Sequence, residues 1–299
     1  MTLRLPNRFL RFPRRPLVMG IVNVNDDSFS GDGTLDLDRA ADQAARQVEE
    51  GADIVDVGAE SARTNRDAIP VGEECARLRG FLEKWPEVVA RAQPRDEEQV
   101  WPPVLAVNTW RSEVVAEALA LGAELINDMG GLPEPGNAQL CAQWGAALLI
   151  MHTVGPPKVA QTEQRWANIM SELERFFRER LAVAESAGLS RNRIVLDPGI
   201  DFAKQREDNL TLVAALPKLA GLECPILLPV SRKTVVGEVL GIEDPAARDA
   251  GTIGLLAAGM QGGGQIFRVH NVTAAWQAVK MLAALDRSCW SPSYSSPGA

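Results

Sequence analysis

A chain of 299 residues with 46% hydrophobic and 23% charged content can bury a large core, and this composition excludes a disordered or fibrous protein. The formal net charge of −8 and the pI near 5.0 exclude a surface built for nucleic acid, which needs clustered positive charge to displace counterions. No run approaches the roughly 18 apolar residues that span a bilayer, so no membrane partner is expected.

The first stretch in chain order, RLPNRFLRFPRR at residues 4–15, carries five Arg and no acidic residue, a feature of transit peptides. It lacks their Ser content and apolar run, and residues 1–16 are therefore read as a short ordered arm. From residue 17 onward, eight short apolar runs alternate with longer amphipathic segments. The runs are LVMGIVNV (17–24), DIVDVG (53–58), VLAVN (104–108), ELINDM (124–129), ALLIMH (147–152), RIVLDPG (193–199), PILLPVS (225–231) and IFRVH (266–270). Between them, segments such as LDRAADQAARQVEEGA and SEVVAEALALGA have helical periodicity and reach a Gly in the C-capping position. Residues 90–103, ARAQPRDEEQVWPP, read as a long surface connection.

Near-continuous apolar runs indicate strands buried on both faces, hence a parallel sheet covered by helices. Eight such units in one stretch predict an α/β fold of the single (β/α)8 TIM-barrel type over 17–287. An open doubly wound sheet is the runner-up, but the Gly-rich dinucleotide turn is missing after the first run. The Ser/Pro-rich end, 288–299, reads as a flexible tail. Cys75, Cys141, Cys224 and Cys289 form no C-x-x-C pair and suggest neither a zinc site nor a disulfide framework, so a reducing cytoplasm is the expected compartment. The seven Trp are given packing roles.

Several runs end on a polar residue. At or just beyond their C-terminal ends stand Asn23, Glu60 with Arg63, Asn108, Asn127 with Asp128, His152, Asp197, Ser231 with Arg232 and Lys233, and Arg268 with His270. In a barrel these ends converge on one mouth, where such folds place their active sites. Asn108, Asn127 and Asp197 suit a planar heterocycle with amide and amine edges. Asn23, Arg63, Arg268 and His270 suit an anion, and Lys233 suits either group. Taken singly, each has a plainer reading: a strand-end Asp or Asn as a helix N-cap, His152 as a satisfied core histidine, the SRK tripeptide as a solvated turn.

At these residues the chain resembles the dihydropteroate synthase family. MGIVNVNDDSFSGDG, GADIVDVGAESAR, INDMGG, MHTVGPP, LDPGIDFAK, SRKTVVG and FRVHNV follow in family order over about residues 17–285. The resemblance implies a pterin-binding TIM barrel that condenses 6-hydroxymethyl-7,8-dihydropterin pyrophosphate with p-aminobenzoate, giving 7,8-dihydropteroate and pyrophosphate. It assigns Asn108, Asn127, Met151, Asp197 and Lys233 to the pterin. Asn23, Arg63, Arg268 and His270 fall to the pyrophosphate, with Asn23 also a ligand of Mg2+, the implied cofactor. Phe202, Lys204 and Thr234 fall to p-aminobenzoate, while Asp27, Phe29, Arg63 and Lys233 are the residues implied in catalysis. A homodimer is the implied assembly.

Departures from the family pattern leave two further readings open. The third strand ends in Asn108 where the family has Asp, which removes a charge favouring a pterin cation. Ala62 replaces a Thr, the first loop reads Asn25-Asp26, and DFAK replaces GFGK, putting Asp201 near the p-aminobenzoate mouth. A pterin-binding paralogue with little synthase activity is one alternative. A methyltetrahydrofolate-dependent methyltransferase relative is the other, against which SRK and FRVH argue as diphosphate groups.

Overall fold

A computed structural model describes residues 1–26, 33–60, 67–159 and 161–290, with side chains through residue 285. The arm is an antiparallel hairpin of β1 (Thr2–Arg4) and β2 (Phe9–Arg11). Eight parallel strands follow: β3 (Leu17–Asn23), β4 (Ile54–Gly58), β5 (Val104–Asn108), β6 (Leu125–Asp128), β7 (Ala147–Met151), β8 (Ile194–Asp197), β9 (Leu227–Leu228) and β10 (Ile266–Val269). They alternate with α1 (Leu37–Glu49), α2 (Val71–Arg91), α3 (Ser112–Ala120), α4 (Gly136–Trp144), α5 (Ile169–Ser186), α6 (Arg206–Ala214), α7 (Thr234–Leu240) with α8 (Asp249–Gln261), and α9 (Val272–Trp290).

The strand order β8-β7-β6-β5-β4-β3-β10-β9 closes on itself through a parallel bridge between Leu196 and Ile226 and the Leu196 N–H donating to Pro225 O at 2.9 Å. The predicted barrel is therefore the observed one. Its two-sided burial explains the unbroken apolar runs. Side chains alternate across each strand, so Leu17, Met19, Ile54, Val104, Ala106, Leu125 and Leu149 fill the barrel. Val18, Val22, Val55, Val57, Leu105, Val107 and Ile126 face the helices instead.

The arm seals the end of the barrel opposite the strand C-termini. Leu3, Leu5, Leu10 and Phe12 are buried in the same cluster as the lower interior residues. Below them, Arg15 makes a two-pronged pair with Asp53 at 2.8 and 2.9 Å, and the N–H groups of Val18 and Val100 donate to the same carboxylate at 2.9 Å each.

Three expectations are revised. The seventh run, expected over 225–231, forms a strand only at Leu227–Leu228, because Pro225 and Pro229 flank it and proline has no N–H for a ladder. The 90–103 connection is not all surface: α2 runs to Arg91, Gln99 is buried and donates to Val48 O and Ala52 O, and Val100 joins the barrel interior. At the other end, α9 continues through Trp290, past the expected start of the tail, and 291–299 lie outside the described residues.

Candidate active site

The C-terminal ends of the strands surround a cavity of about 880 Å³. Asn23, Asn108, Asn127, Met151, Asp197, Phe202, Lys204, Lys233, Thr234, Arg268 and His270 all line it. These come from seven different strand ends or the turns after them, and ring closure is what brings them together. Asp27, Phe29 and Arg63 lie outside the described residues.

Asn108 and Asn127 are register partners on β5 and β6, so their amides stand side by side on the cavity wall. Neither caps a helix: α3 begins after Arg111, which makes no side-chain cap bond. Asn108 Oδ1 is buried and has no hydrogen-bond donor among the described residues, whereas Asn127 Nδ2 donates to Asp56 Oδ2 at 3.0 Å. Met151 pairs in register with Asp197 on the neighbouring strand. Asp197 is buried, and that burial raises its carboxyl to about 6 against the opposing pull of the Gly199 N–H and then of Lys233, Lys204 and Arg268. Gly199 donates to Asp197 Oδ1 at 2.7 Å from a left-handed turn, and a Cβ there would lie 2.1 Å from His152 O, so only glycine fits.

Lys233 and Lys204 enter the cavity from the sides. Lys233 Nζ donates to Ile200 O at 2.9 Å and stands 5.0 Å from the Phe202 ring centre, with its pKa lowered by burial. Lys204 Nζ meets His152 Nδ1 at 2.7 Å and donates to Phe202 O at 3.0 Å; burial lowers its pKa to about 7. On β10, Arg268 Nε donates to Asp56 Oδ2 at 2.7 Å, and His270 Nδ1 lies 2.8 Å from Ser231 Oγ. Asn23 sits half-buried at the end of β3, the strand next to β10. Among the described residues, no three His, Cys, Asp or Glu side chains converge on a metal position.

Other strand-end residues turn away from the cavity. His152 is buried between the Trp166 and Phe176 rings, 5.7 and 4.7 Å between centres, so the core-histidine reading holds for its ring. Asp128 shapes the turn after β6 by accepting from Gly130 N and Asn137 Nδ2 at 2.8 and 2.9 Å. Arg232 pairs with Asp249 at the start of α8 at 2.8 Å.

Asp201 lines the cavity, yet its carboxylate is committed to the N-terminus of α7. It accepts from Thr234 N at 2.5 Å and Val235 N at 3.3 Å. Those N–H groups offset part of its negative charge at the cavity edge. Asp201 and Ala203 have φ of +69° and +50°, the left-handed conformation that glycine adopts freely, which accounts for the two glycines in the family's GFGK.

Sequence reasoning missed Asp56. It is fully buried inside the barrel one layer below Asn108, and it fixes both Asn127 and Arg268 through Oδ2 while Oδ1 is buried without a donor among the described residues. A carboxylate at an inward position of the otherwise apolar DIVDVG was the available signal. Also missed was the ion cluster at the rim, where Arg111 pairs with Glu74 and with Glu60 (2.7 Å), and Lys158 lies 3.6 Å from Glu60.

The match to the pterin binding enzyme family model covers residues 19–270. The chain is 35% identical over 270 residues to the dihydropteroate synthase of Escherichia coli strain K12, covering 90% of this chain and 91% of that protein. The crystal structure of Yersinia pestis dihydropteroate synthase with a sulfonamide drug complex superposes with a TM-score of 0.86 at 32% identity, over 96% of this chain and 100% of that one. The Xanthomonas albilineans dihydropteroate synthase with 4-aminobenzoic acid gives a TM-score of 0.82 at 35% identity, over 96% and 99%. With barrel, mouth and motif order all in agreement, the chain belongs to the dihydropteroate synthase family of pterin-binding transferases.

Proposed function

We propose that this cavity condenses 6-hydroxymethyl-7,8-dihydropterin pyrophosphate with p-aminobenzoate. The observation that carries the reading is the convergence of every described site residue on one cavity. The flat wall formed by Asn108, Asn127 and Asp197 offers an acceptor and two amides to the edge of a pterin, with Met151 packed beside it. Arg268 and His270, with Asn23 across the strand boundary, face the diphosphate. A held diphosphate leaves with less charge penalty, and a cavity that excludes water protects the pterin methylene cation until the arylamine attacks it. Phe202, Lys204 and Thr234 border the space left for p-aminobenzoate.

Mg2+ belongs to the same reading. Asn23 presents one amide side chain at the rim, and a single protein oxygen fits an ion that keeps its waters and travels on substrate phosphates. When bound, Mg2+ offsets negative charge on the departing pyrophosphate. Exposed Val239, Leu240, Met281 and Leu285 on α7 and α9 support a homodimer, which light scattering at micromolar concentration tests. Free Cys75, Cys141 and Cys224 support a reducing cytoplasm.

The test is pyrophosphate release measured with both substrates and Mg2+. Release that requires p-aminobenzoate supports the synthase. Pterin binding without release would favour the paralogue, the reading that Asn108 keeps open by supplying shape without charge.

A further inference from the structure

Asp201 stands where the family pattern has glycine, at the end of the cavity bordered by Phe202, Lys204 and Thr234. Its side chain is pinned from two elements. On α7, Thr234 N donates to Oδ2 at 2.5 Å and Val235 N to Oδ1 at 3.3 Å. On α6, buried Asn209 donates from Nδ2 to Oδ1 at 3.2 Å and accepts the Asp201 N–H at 2.9 Å, so one amide grips both main chain and carboxylate. The carboxylate is thereby fixed at the cavity edge, and the N–H groups of this wall already hold an anion that the chain itself supplies.

The cations at this end are matched in the same way. Among the described lining residues on β8, α6, α7 and the turns before those helices, Lys204, Lys233 and Arg206 stand against Asp197, Asp201 and Glu238. Asp197 and Asp201 act on both lysines, and Asp208 acts on Lys204 as well. Arg206 has Glu207 at 3.6 Å. A carboxylate entering here adds negative charge to a set already in balance. A carboxamide of the same shape adds none, and its oxygen and N–H groups still find donors and acceptors.

We propose that Asp201 sets the acceptor specificity of the site, which takes an arylamine with an uncharged para-carboxamide as readily as p-aminobenzoate. The inference rests on the synthase reading of the cavity. The bond made is the same for both acceptors: the arylamine nitrogen replaces pyrophosphate on the pterin methylene carbon, and one amine proton passes to solvent. Asp201 touches neither the carbon nor the nitrogen that react. Its charge acts on the far end of the ring, so it discriminates between acceptors through their binding.

The experiment is pyrophosphate release near neutral pH with saturating pterin pyrophosphate and Mg2+, with p-aminobenzoate and p-aminobenzamide varied in parallel, in wild type and Asp201→Asn. Asn tolerates the positive φ of this position and keeps an oxygen for the Thr234 N–H, so the substitution removes charge with little change of shape. Wild type should use the two acceptors with kcat/KM values within about fivefold of each other. Asp201→Asn should raise the ratio of carboxylate to carboxamide about tenfold, through a lower KM for p-aminobenzoate. A purely structural role for Asp201 would move both acceptors together, and an unchanged ratio overturns the proposal. A wild-type preference for the carboxylate beyond about fivefold overturns it whether or not the variant folds. If wild type releases pyrophosphate with neither acceptor, the synthase reading fails and takes this inference with it; release with the wrong ratio sinks the inference alone.

Discussion

Asp53, just before β4, and Asp56, at the centre of that strand, lie three residues apart, and they are treated oppositely. Asp53, at the sealed end, receives four donors: both prongs of Arg15 and the N–H groups of Val18 and Val100. Asp56, below the mouth, receives two on one oxygen and, among the described residues, none on the other. A complete donor shell makes a buried carboxylate a structural fixture. An incomplete shell, beside the equally unpartnered Asn108 Oδ1, is a cost to folding that the mouth carries for a ligand. The same asymmetry extends to titration, since Asp197 and Lys204 at the mouth are both moved toward neutral pH.

Breaking each aspartate separately should expose the largest difference. Asp53→Asn removes the charge facing buried Arg15 and should cost about 3–5 kcal/mol in urea unfolding, while the surviving folded protein still binds pterin. Asp56→Asn should cost no more than about 1–2 kcal/mol of stability yet lower kcat/KM about tenfold to a hundredfold, because Arg268 and Asn127 lose their common anchor. Equal stability losses at the two positions would erase the contrast.

Within the mouth, Arg268→Ala should weaken the pterin pyrophosphate about tenfold more than the bare hydroxymethyl-pterin, because only the former carries the diphosphate. Titration calorimetry with the two ligands checks this, and equal losses would remove Arg268 from the diphosphate clamp. Asn108→Asp should raise kcat by a few-fold, roughly, and tighten ground-state pterin binding less, because the added charge meets a cation only in the reacting state. An unchanged kcat in an active enzyme would mean that Asp56 or Asp197 already supplies the charge. The smallest effect is at Ala203, whose left-handed backbone should let Ala203→Gly stabilise the fold by about 0.5–1 kcal/mol in urea titration.

Much of this was legible in the sequence for a physical reason. Strands buried on both faces leave apolar runs that need no partner to be seen, and ring closure turns eight run ends into one site. That is why the sequence alone places Asn108, Asp197 and Arg268 at one mouth. What stayed hidden depends on contacts distant in sequence. Asp56 looks like any polar residue until Arg268, 212 residues away, is seen to bind it. Asp201 appeared as a stray charge until α7 was seen to begin on its carboxylate. The two prolines around Leu227–Leu228 shortened a run whose composition alone read as a full strand.

The central claim is that the mouth holds its polar groups unsatisfied for a pterin, and the affinity of bare hydroxymethyl-pterin as a function of pH tests it most directly. Asp197 has a folded-state pKa of about 6, above its ordinary value, so the free protein binds a proton there as pH falls through 6. Pterin donors need the carboxylate and must displace that proton. Titration calorimetry from pH 4.5 to 8 should therefore show constant affinity above about 6.5 and a fall approaching about tenfold per pH unit below 6, with the low-pH limb absent in Asp197→Asn. Wild-type affinity that stays flat through this range, or the same limb in Asp197→Asn, would contradict the account.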